Sequence, residues 1–263
     1  MTMSIFETLL KTDKYGVYRR DNFLTLEMNS DPDSQLSVMT LDRPNDVCTA
    51  ITRKMFLPMA LIESPRDLVL IGVGGGMQAK FIHHYFPEFH LTALEIDLEV
   101  LQIARTFFGL PEDDERLKVM VGDGAEFMQQ NRDQFDMILS DAYGDGNRFV
   151  DELHSLAFYS NCHRALRAGG IMIVNIYRPE PEWVQKFIAS VSKTFHTCQF
   201  YPIEPFQGIM VLWKNFPEMG WKGVENRAAE LDRRTGLGFA AFIDSFKTEK
   251  WIFGSSMADQ MTK

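Results

Sequence analysis

The residues best suited to chemistry here are a glycine-rich turn and three acids, each set just after a short apolar run. The turn is Ile71-Gly72-Val73-Gly74-Gly75-Gly76-Met77. Glycines in such a place let the main chain bend sharply and let a ligand come close to it. Gly72, Gly74, Gly75 and Gly76 are therefore candidate cofactor contacts. The spacing also excludes a class of ligand. A dinucleotide fingerprint wants a further glycine three residues after the second, and Met77 occupies that place.

Glu95 lies in Ala93-Leu94-Glu95-Ile96-Asp97, roughly twenty residues beyond the turn. A carboxylate there can accept from both hydroxyls of a ribose, with Ile96 beside it as a second contact. The plain alternative is a solvated loop acid, and Asp97 reads as the N-cap of the next helix. Asp123 lies in Val121-Gly122-Asp123-Gly124. It can accept from an exocyclic adenine amine while the neighbouring N–H of Gly124 meets a ring nitrogen, or it can simply cap a helix. Together, three such sites at successive strand ends point to an adenosine, because open α/β sheets bind ligands in that crevice.

The third acid, Asp141, lies in Phe135-Asp136-Met137-Ile138-Leu139-Ser140-Asp141-Ala142-Tyr143-Gly144-Asp145-Gly146. Beside a sulfonium nucleoside, this carboxylate could take a proton from an attacking amine or hold that amine in line. Its bland reading is a turn residue; Asp136 reads as structural. The six histidines form no zinc spacing, and no metal site is expected. Neither a nucleophile elbow nor a phosphate loop with lysine is present.

The elements that must carry these residues follow from periodicity. Leu68–Ile71 is apolar throughout, as in a strand buried on both faces of a parallel sheet. Strands over 91–94, 117–121, 135–139 and 171–176 alternate with helices from 76 to 85, 98 to 108, from 125, 153 to 166 and 182 to 195. Ala168-Gly169-Gly170 supplies a helix stop. Such alternation gives a doubly wound α/β sheet with right-handed crossovers. Runs at 197–203 and 209–213 stand too close for a parallel crossover and predict a closing antiparallel hairpin. The expected fold is thus a mostly parallel seven-stranded sheet of the class I S-adenosylmethionine-dependent methyltransferase type. A helix is expected over 46–62, with Val47, Ile51, Met55, Met59 and Ile62 on one stripe. Upstream, residues 1–14 read as a short helix or loose arm. Tyr15–Met28 and Leu36–Leu41 read as a short β-hairpin around the turn-rich 29–34. The division expected is 1–45 as N-terminal arm and hairpin and 46–263 as the Rossmann-like domain, with a helical tail over 225–247.

The chain has 263 residues with a formal net charge of −9. An acidic balance disfavours nucleic-acid backbones. No apolar run of about 18 residues predicts a membrane span. The N-terminus lacks a signal-peptide pattern, and three scattered cysteines suit a reducing cytoplasm.

The segments IGVGGG, LEIDLEVLQIAR, VGDGAEFM, FDMILSDAYGDG and LRAGGIMIVNIY resemble the polyamine aminopropyltransferases, the spermidine synthase family, and more closely its bacterial spermidine-synthase-like members. The resemblance runs from about residue 45 to 215. It implies S-adenosylmethionine or its decarboxylated form as donor and a small-molecule acceptor, with polyamines among the candidates. It also implies an N-terminal β extension and a homodimer, since the family commonly forms dimers or tetramers. By the same resemblance Glu95 holds the ribose, Asp123 the adenine, and Asp141 the acceptor amine. The chain departs from the family at three places. Gly75 stands where GGGDGG has its aspartate, which contacts the aminopropyl amine. Gly144 stands where the second acid of DxxD belongs, with Asp145 one place late. With Met55 set against the methionine of YxEM, Thr52 and Lys54 replace tyrosine and glutamate, and an ammonium there would repel a polycation.

Three functions remain open on the sequence. Aminopropyl transfer to a small amine such as putrescine has the family behind it. Methyl transfer from S-adenosylmethionine fits the missing acid at Gly75. A non-catalytic nucleoside-binding protein keeps the fold without turnover.

Overall fold

The computed structural model describes residues 6–142, 151–177, 181–203, 207–215 and 219–248. Among these, two sheets form, of four and seven strands.

The first sheet is an antiparallel meander of β1 (Phe6–Lys11), β2 (Tyr15–Arg20), β3 (Phe23–Met28) and β4 (Asp31–Thr40). It departs from the sequence expectation in three places, one being that β4 begins at Asp31, inside the stretch 29–34 expected as a turn. Where a helix or loose arm was expected over 1–14, Phe6–Lys11 is a strand. It is exposed on nearly every residue, so no alternation of apolar and polar positions betrays it. Tyr15–Met28, expected as one strand, folds back on itself, with Tyr15 opposite Met28 and Arg20 opposite Phe23. Asp21, at φ 52°, takes the left-handed turn conformation that Asp and Asn tolerate. The inner face of this meander buries Tyr15, Val17, Leu24, Leu26 and Met39 against Met77, Val100, Ile103 and Phe108.

A helix follows, α1 (Ala50–Phe56), capped by Thr49 Oγ1, which accepts from Thr52 N at 3.3 Å. It is shorter than the expected 46–62. Pro58 brings no N–H and converts Leu57–Leu61 to a 3-10 turn. The expected stripe is nonetheless buried at Val47, Met55, Met59 and Ile62.

The second sheet begins at β5 (Asp67–Ile71), followed by α2 (Met77–Tyr85), β6 (His90–Glu95), α3 (Leu98–Phe107), β7 (Leu117–Val121), α4 (Gly124–Gln130) and β8 (Phe135–Ser140). Then come α5 (Leu156–Ala165), β9 (Leu166–Tyr177), α6 (Pro181–Val191), β10 (Thr197–Ile203) and β11 (Gln207–Trp213). Strand order is β10-β11-β9-β8-β5-β6-β7. The pairs from β9 to β7 are parallel, and β11 runs antiparallel between β9 and β10. This is the mostly parallel, hairpin-finished sheet expected. β9 starts earlier than expected, at Leu166, because Gly169 (φ 77°) passes through an irregular register rather than a turn. The chain order reverses between β5 and β8, so the crevice opens over their carboxyl ends.

The described part ends in α7 (Trp221–Thr235) and α8 (Phe239–Thr248). Asp232 accepts from Gly238 N, Phe239 N and Ala240 N at 2.6–2.8 Å and so caps α8 from α7. Val224, Ala228 and Leu231 of α7 join Phe239, Phe242 and Phe246 of α8 in the core beside the 3-10 turn.

Candidate active site

A cavity of about 750 Å³ opens over the carboxyl ends of β5, β6, β7, β8 and β9, roofed by the N-terminal meander. That is ample for a small-molecule ligand. The carboxyl end of β5 leads into the glycine turn. Gly72 adopts φ 89°, and a Cβ there would stand 2.4 Å from the carbonyl oxygen of Asp141, so only glycine fits. Gly75 is closed to any side chain from the other side. A Cβ would meet Ser37 Cβ at 2.7 Å and Phe108 Cδ1 at 3.1 Å, and Gly75 N donates to Ser37 Oγ at 2.7 Å. Gly72 and Gly74 line the cavity; Gly76 begins α2.

Glu95 sits at the end of β6 and is turned into the glycine loop. Its Oε2 accepts from Val73 N at 3.0 Å and Gly74 N at 3.1 Å, and its Oε1 accepts from Ile96 N at 3.0 Å and Asp97 N at 3.2 Å. Ile96 lines the cavity and is 71% exposed. Asp97 is the N-cap expected of it, accepting from Glu99 N at 2.8 Å. Its other oxygen accepts from Lys14 Nζ at 3.1 Å and the Tyr15 hydroxyl at 3.0 Å, which fastens the meander to the rim. Burial, then this bond, pushes the Tyr15 phenol well above its ordinary pKa.

Asp123 caps α4 through Ala125 N at 2.6 Å and lines the cavity with Gly124. The cap and the cavity position coexist, so the two sequence readings do not exclude each other.

Asp141 follows β8 at the deep end. Its Oδ1 accepts from Asn175 Nδ2 at 2.7 Å and its Oδ2 from Gln78 Nε2. Burial pushes its carboxyl up to about 6, against the opposing pull of the two amides. Asp136, by contrast, lies at the other end of β8, accepting from Arg66 N and Asp67 N at 2.8 and 2.9 Å and pairing with Arg167 at 3.1 Å. It is structural.

The cavity brings together Gly72, Gly74, Glu95, Ile96, Asp123, Gly124 and Asp141, with Thr52, set against the YxEM tyrosine, also on its lining, and adds residues the sequence reading passed over: Ser37, Thr49, Gln78 and Asn175. Asn175 carried a signal, a lone amide inside the apolar run of β9; Gln78 and Ser37 carried none. Among the described residues, its lining acids are Asp13, Glu95, Asp97, Asp123 and Asp141, and its lining cation is Lys14, already tied to Asp97. Such a lining favours positive ligands. Lys54 is not on it. Its Nζ lies 4.8 Å from the centre of the Tyr201 ring, so the repulsion expected from this lysine is not directed into the cavity. Gly144 and Asp145 lie outside the described residues. No group of three or more His, Cys, Asp or Glu among the described residues could hold a metal ion, and no described helix is long and apolar enough to cross a membrane.

The spermine/spermidine synthase domain model matches residues 52–216, which span the glycine turn and all three acids. The chain belongs to the spermine/spermidine synthase family. A polyamine aminopropyltransferase of Chromobacterium violaceum is 31% identical over 214 residues, covering 80% of this chain and 81% of that protein. One from Neisseria meningitidis is 29% identical over 236 residues, covering 88% of each. Among solved structures, a spermidine synthase in complex with the transition-state analogue AdoDATO matches with TM-score 0.67 at 15% identity, covering 98% of this chain and 90% of that one. Human methyltransferase-like protein 13 in complex with SAH matches with TM-score 0.65 at 21% identity, covering 81% of this chain and 100% of that one. The family and the sheet topology agree: this is a transferase of the spermidine synthase family on a methyltransferase-type fold.

Proposed function

We propose that this family member transfers an aminopropyl group from decarboxylated S-adenosylmethionine to a small amine such as putrescine. The observation that carries the reading is an acid-lined cavity with Asp141 at its deep end, in a chain of this family. A sulfonium donor and a polyamine are both cations, and each must enter against the other's charge. The cavity carboxylates offset that repulsion.

Glu95 takes the ribose, whose hydroxyls exchange with the Val73 and Gly74 N–H groups now on its Oε2. Asp123 and Gly124 take the adenine, Ile96 covers it, and the glycine turn at 72–76 lies along the donor's chain. Asp141 takes a proton from the acceptor amine and holds its nitrogen in line with the propyl carbon. The nitrogen–carbon bond forms, the carbon–sulfur bond breaks, and the electron pair goes to sulfur as methylthioadenosine leaves. A carboxyl titrating near 6 is ionised at neutral pH and free to accept. Residues 1–45 form the cap of this site and 46–263 its catalytic body, in a homodimer working in the cytoplasm.

Methyl transfer is the second reading, favoured by the one seat that Ser37 and Phe108 deny to an acid at position 75. The leaving group separates the two. Protein incubated with putrescine and either donor should release methylthioadenosine and aminopropylated amine from the decarboxylated donor. Release of S-adenosylhomocysteine from S-adenosylmethionine, with the decarboxylated donor inert, would overturn the proposal in favour of methyl transfer.

A further inference from the structure

The N-terminal meander meets the body through its apolar inner face and through polar contacts that fall on either side of Glu95. On one side the Tyr15 hydroxyl, from β2, donates to Asp97 Oδ2 at 3.0 Å. On the other, Gly75 N donates to Ser37 Oγ of β4 at 2.7 Å. Both contacts grip the main chain that holds the ribose acid. Ile96 N and Asp97 N meet Glu95 Oε1, while Val73 N and Gly74 N, just before Gly75, meet its Oε2.

The stretch from Glu95 to Asp97 has little packing of its own, since Ile96 is 71% exposed. Asp97 anchors it. One carboxylate oxygen accepts from Glu99 N at 2.8 Å as the cap of α3, and the other faces the meander. Burial would raise this carboxyl, but the bonds from Glu99 N, Lys14 and Tyr15 hold it below its ordinary range, so it is ionised. Held at both oxygens, Asp97 keeps its own N–H aimed at Glu95. Two donors from the meander reach it. The Lys14 side chain is 64% exposed, and an ion pair in water is worth little. Tyr15 is buried, and its O–H makes a charge-assisted bond that water does not compete for.

We propose that Tyr15 is a positioning residue for the nucleoside: through Asp97 it steadies the main-chain N–H groups that aim Glu95 at the ribose. This deepens the proposed reading and rests on its placement of the ribose, not on which group the sulfonium gives up. In that placement the ribose hydroxyls displace Val73 N and Gly74 N from Oε2. Glu95 then keeps its direction through Ile96 N and Asp97 N alone, the pair that Tyr15 holds from the cap.

The test is calorimetric titration of wild type and Tyr15→Phe with methylthioadenosine and with its 2′,3′-dideoxy form, which offers Glu95 no hydroxyl. Phe keeps the ring in the apolar face and removes only the donor. Wild type should prefer methylthioadenosine. Tyr15→Phe should bind it about fivefold more weakly while the dideoxy form changes by less than about twofold, so the preference narrows. A cap merely loosened would weaken both ligands alike; that result, or an unchanged preference, would overturn the positioning role. Tyr15 also lines the cavity, so its route of action needs a second background. Asp97→Ser keeps a good helix cap but has no second oxygen for Tyr15, and there the Tyr15→Phe effect should vanish. Its persistence would mean direct contact with the ligand and would overturn action through Asp97. If wild type did not distinguish the two ligands, the ribose placement would fall and the positioning role with it. If the preference narrowed as expected but the decarboxylated donor gave no aminopropyl product, the transfer reading would fail and Tyr15 would keep its role.

Discussion

The two ends of the cavity are built on opposite principles. At the end proposed for the nucleoside, Glu95 is surrounded by four main-chain N–H groups, from Val73, Gly74, Ile96 and Asp97, and Asp123 is used as a helix cap. At the end proposed for the amine, Asp141 is held by two side-chain amides from separate elements, and each of those amides keeps a buried oxygen without a partner. One end is satisfied by its own backbone. The other depends on side chains brought together from separate elements. A site arranged in this way keeps its nucleoside geometry fixed by local chain conformation and leaves its acceptor geometry to tertiary contacts.

The largest effect expected from breaking this contrast is at Asp141. Replacing Asp141 with Asn removes the proton acceptor and should lower kcat/KM for aminopropyl transfer about 100- to 10,000-fold. Methylthioadenosine affinity, set at the other end, should stay within about twofold of wild type, well under the 1.4 kcal/mol of a tenfold change. Steady-state kinetics beside calorimetry would check this. Parallel loss of both would mean that the two ends are one unit.

The same variant should gain stability, and the sign follows from burial. Burial holds the folded-state carboxyl at about 6, above its ordinary value of 3.8, so folding favours its protonated form. That contribution is whole below the unfolded pKa and is lost as pH rises through 6. Wild type thus carries a penalty of order 2–3 kcal/mol at pH 7.5 that Asn does not. Asn also fits, because either amide neighbour can turn its unpaired carbonyl toward the new NH₂. Urea unfolding should place Asp141→Asn above wild type at pH 7.5, with the gap closing toward pH 4. A constant gap would remove the carboxylate as its cause. In kinetics, the same titration predicts that wild-type kcat/KM falls as pH drops through about 6.

How far each end was legible follows from how it is built. Glu95 and Asp123 could be placed from sequence because short-range chain geometry, a glycine turn or a strand end, fixes where such a carboxylate points. The parallel sheet was equally plain, since strands buried on both faces write continuous apolar runs such as Leu68–Ile71. Asp141 was visible as a strand-end acid, but Gln78 was not. It lies 63 positions away in the chain, and nothing in its neighbours distinguishes it from an ordinary helix residue. The meander was half-seen for a related reason. β1 buries little, so its pairing with β2 leaves no mark on its composition. Lys54 was placed by analogy of position, whereas the nearby Tyr201 ring decided where its ammonium went.

A smaller effect should come from Glu95→Gln. Its NH₂ can only oppose one of the two backbone pairs that the carboxylate now accepts from, so one pair loses its acceptor. Methylthioadenosine should bind about tenfold more weakly, while the fall of kcat/KM through pH 6 that Asp141 sets is retained. A shift of that titration would show that the two ends are coupled.

The smallest effect tests the place where the N-terminal meander meets the glycine turn. Ser37 Oγ accepts from Gly75 N and donates to the carbonyl of Leu36 at 2.7 Å, so one hydroxyl closes the cap over the loop. Ser37→Ala leaves the Gly75 N–H without this acceptor and should cost about 1 kcal/mol in stability. It keeps the Cβ that stands in the way of a side chain at position 75, so restoring an acid with Gly75→Asp should remain destabilising in either background. If the Ala variant instead made Gly75→Asp neutral and tightened the decarboxylated donor, the hydroxyl alone would be the barrier. The bar to an acid at position 75 would then lie in the Ser37 hydroxyl and not in the packing of its Cβ and Phe108.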